Sequence, residues 1–239
     1  MITIFCTGMM RSGSTWAYNV CRLIGILIAE KNNLTLYCGY RDPEYLDNFL
    51  RGKKPVIAVF KAHSLSSLAV EFIRNKSAKN ICTIRDPRDC VASRQLIEPG
   101  ESFEASIDYI KNNLYYVNLY RKINNTIFIR YEEMMNEPVK EIRKIIDYLG
   151  IDLHTEIISE IDNLTSINNA KKICDSLKNR APESLFRVGK HLTDPMTCLH
   201  ENHIHGGVCG RWRTEFTQQQ INKITNEFKP WLIDLGYEI

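Results

Sequence analysis

The sequence lacks most of the features that mark specialised protein classes. No apolar run reaches the roughly 20 residues of a membrane span; the longest, near 20–29, is broken by Arg22. Met1 leads straight into the apolar run 2–6, with no basic n-region and no small-residue cleavage site, so no export signal is expected. Charge of one sign is also missing. Against 31 Lys and Arg stand 28 Asp and Glu, a net charge of +3 with no long basic run, too mild for a nucleic-acid binder. The eight cysteines contain no Cys-x-x-Cys pair. A disulfide framework belongs to short exported chains, so reduced, mostly buried thiols in a cytoplasmic protein are expected instead. There is no internal repeat, low-complexity tract or linker. With 44% hydrophobic and 25% charged residues, the 239 residues suit a single globular domain spanning 1–239.

What is present alternates between two periods. Short apolar runs at 2–6, 55–60, 80–84 and 126–131 read as buried strands, and helical spacing fills much of the remainder. Helices are predicted over 14–30, over 87–95 (opened by Asp86-Pro87), over 102–122, over 132–149 with an interruption near Pro138, and over 217–235. The long helix 102–122 carries Tyr109, Tyr115, Tyr116 and Tyr120, read mostly as packing residues. Strands separated by helices predict an α/β fold with a central parallel sheet flanked by helices, and a P-loop-like strand-loop-helix at the N-terminus. Ligands of such sheets bind beyond the carboxyl ends of the strands. That directs attention to residues 8–15, 61–63, 85–93 and Tyr131.

Gly8-Met9-Met10-Arg11-Ser12-Gly13-Ser14-Thr15 follows a strand and opens a helix, so backbone N–H groups and the helix N-terminus can meet an anion. The G-x4-G spacing is that of a nucleotide-binding P-loop, but Ser14 stands where such loops place lysine, and the cation has moved to Arg11. A kinase is poorly served by that change, since the lysine contacts the transferred phosphates. Trp16 behind the loop either joins the core or offers a base a stacking surface. A second segment runs from Arg85 to Ser93. Arg85 is expected at a strand's end and Ser93 about two turns up the next helix, on the same crevice, where a guanidinium and a hydroxyl can hold a second phosphate.

Taken together these segments resemble the sulfotransferases that use 3′-phosphoadenylyl sulfate (PAPS). Met10-Arg11-Ser12-Gly13-Ser14-Thr15-Trp16 is similar to their 5′-phosphosulfate loop, commonly P-K-S-G-T-T-W, with arginine for lysine. Arg85 to Ser93 keeps every defining position of their 3′-phosphate motif, R-x-P-x-D-x-x-x-S. Phe60-Lys61-Ala62-His63 resembles the K-T-H segment whose histidine is the catalytic base. Residues 129–133 resemble the segment whose tyrosine, here Tyr131, lies near the nucleotide. Residues 210–217 are similar to the C-terminal G-D-W-K-N-x-F-T signature. The R-K-G that usually precedes that signature aligns with His205-Gly206-Gly207, so only Gly207 survives. Arg187, Lys190 and Arg211 are candidates for the missing basic clamp.

The resemblance implies transfer of a sulfuryl group from PAPS to a hydroxyl or amine, with adenosine 3′,5′-bisphosphate (PAP) left behind and no metal required. His63 would act as general base, and Lys61 and Arg11 would stabilise the charge that develops on the leaving phosphate. Ser12, Gly13, Ser14, Thr15, Trp16, Arg85, Ser93, Tyr131, Gly207 and Arg211 would join Arg11 in holding the nucleotide. Cys198, His200, His203, His205 and Cys209 match no common zinc-finger spacing; they are read as pocket lining or as a polar loop. A soluble small-molecule acceptor such as a secondary metabolite is expected, shaped by 32–54 and 190–207, with no nucleic-acid or membrane partner. The alternatives are a nucleotide-dependent kinase using the 8–15 loop and a non-catalytic nucleotide-binding module.

Overall fold

A computed structural model describes residues 2–41, 43–52, 56–188 and 191–239. Five parallel strands form the main sheet: β1 (Ile2–Gly8), β2 (Thr35–Tyr40), β3 (Val56–Lys61), β4 (Lys79–Ile84) and β5 (Thr126–Arg130), in the spatial order β2-β3-β1-β4-β5. β1 and β3 are buried almost end to end, which is why they read as continuous apolar runs; a sheet covered on both faces has no solvent side on which to alternate. Helices α1 (Ser14–Asn32), α2 (Pro43–Arg51), α3 (Ser67–Arg74), α4 (Pro87–Ile97) and α5 (Phe103–Arg121) fall between the strands. α6 (Tyr131–Asn136), α7 (Pro138–Leu149), α8 (Thr155–Thr165) and α9 (Ile167–Leu177) follow β5. A small antiparallel hairpin, β6 (Phe186–Val188) with β7 (His191–Thr193), precedes α10 (Trp212–Glu215) and α11 (Gln218–Asp234).

Two apolar cores sandwich the sheet. One side is packed by α1, α7 and α8 through residues such as Ile24, Ile145 and Ile158. The other is packed by α3, α4, α5 and α11, with Ile73, Val91, Ile110 and Phe228 fully or nearly fully buried. The expected elements are present with small shifts. The helix predicted over 132–149 is two helices that part at Glu137 before Pro138, because proline donates no N–H and disfavours helical backbone in the residue before it; its C-terminus is closed by Gly150 at φ 72°. The strand predicted over 126–131 stops at Arg130, and Tyr131 opens α6. Pro55, Lys53, Lys54 and Lys190 lie outside the described residues. β2, α2, α3, α8, α9, α10 and the hairpin are not expected from the sequence.

The strand order decides where a ligand can sit. From β1 the chain crosses to β2 and returns through β3 on one side of β1, then continues to β4 on the other. The carboxyl end of β1, flanked by those of β3 and β4, is therefore the topological switch point at which such sheets open a crevice.

Candidate active site

Gly8 ends β1 at φ 138°, where a Cβ would collide with the backbone of Thr83 on β4. Glycine is required so that the loop can leave the sheet this closely. Arg11 follows at φ 69°, a left-handed conformation uncommon outside glycine. Ser12 then turns inward, not toward the crevice. Its hydroxyl bonds the carbonyls of Met9 (2.7 Å) and Thr83 (3.0 Å) and the Thr83 hydroxyl (2.7 Å), which pins the loop to β4. Gly13 caps α1 at φ 88°, without a side-chain cap. The first N–H groups of α1 have no partner within the helix, and Gly13, Ser14 and Thr15 line a cavity of about 630 Å³.

The second motif is built into the same wall. Arg85 leaves β4 nearly buried; its guanidinium lies 4.0 Å from the Tyr131 ring centre, bonds the Arg11 carbonyl (3.1 Å) and pairs with Asp89 (3.3 Å). Its Nε is buried without a hydrogen-bond partner among the described residues. Ser93, two turns up α4, accepts a hydrogen bond from Arg11 Nε (3.1 Å). The sequence suggests two separate anion sites; here Arg11 joins the two motifs into one hydrogen-bonded network. Asp86 turns away to bind Arg88, which is buried beneath the Trp212 ring.

β3 delivers the third part. Lys61 ends the strand, mostly buried, with its ammonium 5.3 Å from the Tyr40 ring centre. His63 donates from Nδ1 to the Gly8 carbonyl at 2.9 Å, and Tyr120 on α5 holds the His63 carbonyl at 3.1 Å. With Nδ1 occupied as a donor, Nε2 is the free, basic nitrogen of a fixed tautomer. Burial, then the charge of Lys61, pushes the His63 imidazole down to about 3, so it is neutral at physiological pH. The Arg11 guanidinium is pushed down to about 10 by burial and by Arg85, and burial lowers Lys61 as well. Cations crowded into a dry crevice stabilise a polyanion there.

The opposite wall is the segment 194–212, and it is held by the first wall. Arg11 Nη2 bonds the His203 carbonyl (2.7 Å) and Arg85 Nη2 the Val208 carbonyl (2.8 Å). Asn19 and Tyr18 bond the carbonyls of Thr197 and Met196, each at 2.9 Å. Asp89 accepts from the N–H groups of Gly210 (2.7 Å) and Trp212 (3.2 Å). Gly207, at φ 67°, packs so closely that a Cβ would overlap Ile167 and stand 2.9 Å from Met135.

Residues 101–236 match the sulfotransferase domain family. The chain belongs to the PAPS-dependent sulfotransferase family. That match begins beyond Ser93, so the loop, Lys61, His63 and Arg85 stand on their own geometry. Rat sulfotransferase 1A1 is 20% identical over 201 residues, which cover 77% of this chain and 66% of that protein. Mouse sulfotransferase SULT7A1, solved in complex with PAP, superposes with a TM-score of 0.67 at 21% identity, covering 96% of this chain and 83% of the mouse chain. A retinol dehydratase solved with retinol and PAP gives 0.65 at 18% identity, covering 99% and 82%. At these identities the superpositions establish the shared fold.

Trp16 lines the cavity, with Met134, Met135 and Ile167 among the other lining residues. Of the three candidate clamps, Arg211 lines the cavity, bonding the His205 carbonyl (2.6 Å) and Glu215 (3.3 Å); Arg187 is exposed on β6, and Lys190 is not described. Among the tyrosines of α5, Tyr109 lines the cavity under the Arg94 guanidinium, Tyr120 is core, and Tyr115 is 69% exposed. Among the described residues no group of three His, Cys, Asp or Glu is arranged to hold a metal, and no helix is long and apolar enough to cross a membrane. The eight cysteines are free thiols.

Two contributions escaped the sequence reading. Tyr40 sits on β2, whose run Leu34-Thr35-Leu36-Tyr37-Cys38-Gly39-Tyr40 carries enough β-branched and aromatic residues to have been read as a strand. The α8–α9 junction, with Thr165, Ser166 and Ile167 at the cavity, has no local signature.

Proposed function

We propose that the whole chain, as one domain, moves the sulfuryl group of PAPS to a hydroxyl or amine of a small-molecule acceptor in the cytoplasm. The observation that carries the reading is the His63–Gly8 hydrogen bond. It ties the base to the end of the anion-binding loop and presents Nε2 to the cavity that Arg11 and Lys61 also line. The residues fit the nucleotide. An uncapped helix N-terminus, an orphaned Arg85 Nε and an excess of buried cations are what a molecule with phosphates at two positions would satisfy. That the solved neighbours were obtained with PAP, and one with retinol, supports the co-substrate and a small organic acceptor.

In the reaction His63 Nε2 takes the proton of the acceptor hydroxyl as its oxygen attacks sulfur in line with the departing phosphate. Arg11, Lys61 and the N–H groups of Gly13, Ser14 and Thr15 stabilise the charge that builds on that phosphate. Arg85 and Ser93 fix the nucleotide at its other phosphate, and Tyr131 keeps the Arg85 guanidinium in place.

Calorimetric titration with PAP, and with ATP in the absence and presence of Mg²⁺, tests the reading. Tight PAP binding is expected, little matched by ATP, and weakened about 10- to 100-fold by Arg85→Ala, as for a lost charge-assisted hydrogen bond. ATP binding that depends on Mg²⁺, without PAP binding, would replace the reading with a kinase.

A further inference from the structure

The wall that faces the base is made of imidazoles. His191 and His200 stack with ring centres 4.3 Å apart, and the His203 ring lies tilted against His200 at 4.4 Å. His191 anchors one end between Glu98 (3.4 Å) and Glu201 (3.8 Å). His203 anchors the other through its carbonyl, which Arg11 Nη2 holds at 2.7 Å. All three rings line the same cavity as His63. Nδ1 of both His200 and His203 is buried without a hydrogen-bond partner among the described residues, although buried polar atoms are ordinarily satisfied. Resting on the sulfotransferase reading, we propose that the acceptor is a polyhydroxylated small molecule, sulfated on one hydroxyl at His63 and gripped through a neighbouring hydroxyl by His203 and His200.

Chemistry favours a hydroxyl as the gripped group. A neutral imidazole offers one donor and one acceptor, which is the complement of an alcohol or phenol. Burial and the charges of Arg11 and Lys61 hold His203 in its neutral form, and the same two cations repel an ammonium group. The two orphaned nitrogens lie on neighbouring rings of one cavity wall, where a single hydroxyl can meet them. Apolar flanks from Ile97, Tyr109 and Val188 leave a carbon ring or chain something to rest against.

The test uses enzyme saturated with PAP and two matched pairs of probes, phenol with catechol and cyclohexanol with cis-cyclohexane-1,2-diol, titrated by calorimetry. The wild type is expected to bind each diol about 10-fold more tightly than its mono-alcohol, the worth of one hydrogen bond in a desolvated site. His203→Phe or His200→Phe keeps a flat ring and removes the nitrogens; loss of the diol advantage in either, with PAP affinity retained, supports the grip. Equal binding of both members of each pair by the wild type, including binding of neither, overturns it. So does a diol advantage that survives in both variants. Failure to bind PAP at all is a different result, which overturns the sulfotransferase reading itself.

Discussion

The two walls of the cavity are built in opposite ways. The first, at the ends of β1, β3 and β4, is fixed from behind. Its side chains grow from buried strands, Ser12 is bonded into β4, and Gly8 touches the Thr83 backbone. The second wall, 194–212, follows the three-residue strand β7 (His191–Thr193) and is held largely by side chains of the first. Arg11, Arg85, Asp89, Tyr18 and Asn19 all bond its main chain. The difference separates two tasks. Groups proposed to act on the reacting atoms stand on the wall built into the sheet, and groups proposed to choose the acceptor stand on a loop held mainly through its main chain, with Asp194 adding side-chain bonds to Thr197 and Arg180.

The sharpest way to break this contrast is at Gly8. In Gly8→Ala the new methyl group would meet the Thr83 backbone, with its nitrogen at 2.8 Å, at a φ of 138° that alanine rarely adopts. Neither strand can retreat without parting the central sheet. A loss of more than about 3 kcal/mol of unfolding free energy, or no folded protein, is expected; near-wild-type urea denaturation would show that the wall is softer than its packing implies. His63→Ala comes next. It should lower turnover about 100-fold or more while PAP affinity holds, because the residue serves the acceptor. Since the imidazole stays neutral down to about pH 3, the wild-type rate should not fall through protonation of His63 between pH 7 and about pH 5. A wild-type rate that drops near pH 6.5, with the drop absent from the residual rate of His63→Ala, would place the histidine in a more solvated setting.

The contrast also explains what could be read in the sequence. Gly8 to Thr15, Lys61, His63, Arg85 and Ser93 are legible because each sits within a few residues of a strand end, where local spacing fixes position in space. The one surprise there, Arg11 bonding Ser93 across the two motifs, needs the register of β1 with β4, which no local pattern encodes. The second wall is opaque for a physical reason. His200 and His203 look like part of a Cys/His-rich loop because what places them lies outside the loop: the carbonyls of His203 and Val208 are held by Arg11 and Arg85 across more than 100 residues of chain, and His200 bridges back to Thr193. Asp89 holds the acidic position of the Arg85–Ser93 motif, yet its work of holding the N–H groups of Gly210 and Trp212 appears only in three dimensions.

A pH-dependent effect runs through both walls at once. Burial pushes His63 and His200 down to about 3 from an ordinary value of 6.5, and lowers His203 too. Between those values the unfolded chain binds protons that the folded chain refuses. Stability is therefore full above pH 6.5 and declines as pH falls, by up to about 1.4 kcal/mol per unit for each such histidine. Thermal melting between pH 7 and 4.5 should show the decline, and His200→Phe should make it shallower. An unchanged slope in that variant would mean that His200 takes up its proton in the folded state, and that the second wall opens to water where the first does not.

The smallest expected effect is at Gly207, and it completes the comparison. An added Cβ would meet only the far ends of Ile167 and Met135, side chains that can swing aside, so the main cost is the left-handed φ of 67°. Gly207→Ala should lose about 1 kcal/mol, a shift of roughly 2–4 °C in Tm for a chain of this size. Its consequence should instead appear in binding. Val208, the next residue, supplies the carbonyl that holds Arg85, so tilting the loop frees that guanidinium and alters PAP affinity out of proportion to the lost stability. If melting and PAP affinity both stay at wild-type values, the second wall is not shaped through Arg85, and its order comes from its other holds, Arg11, Asp89 and the Tyr18–Asn19 pair among them.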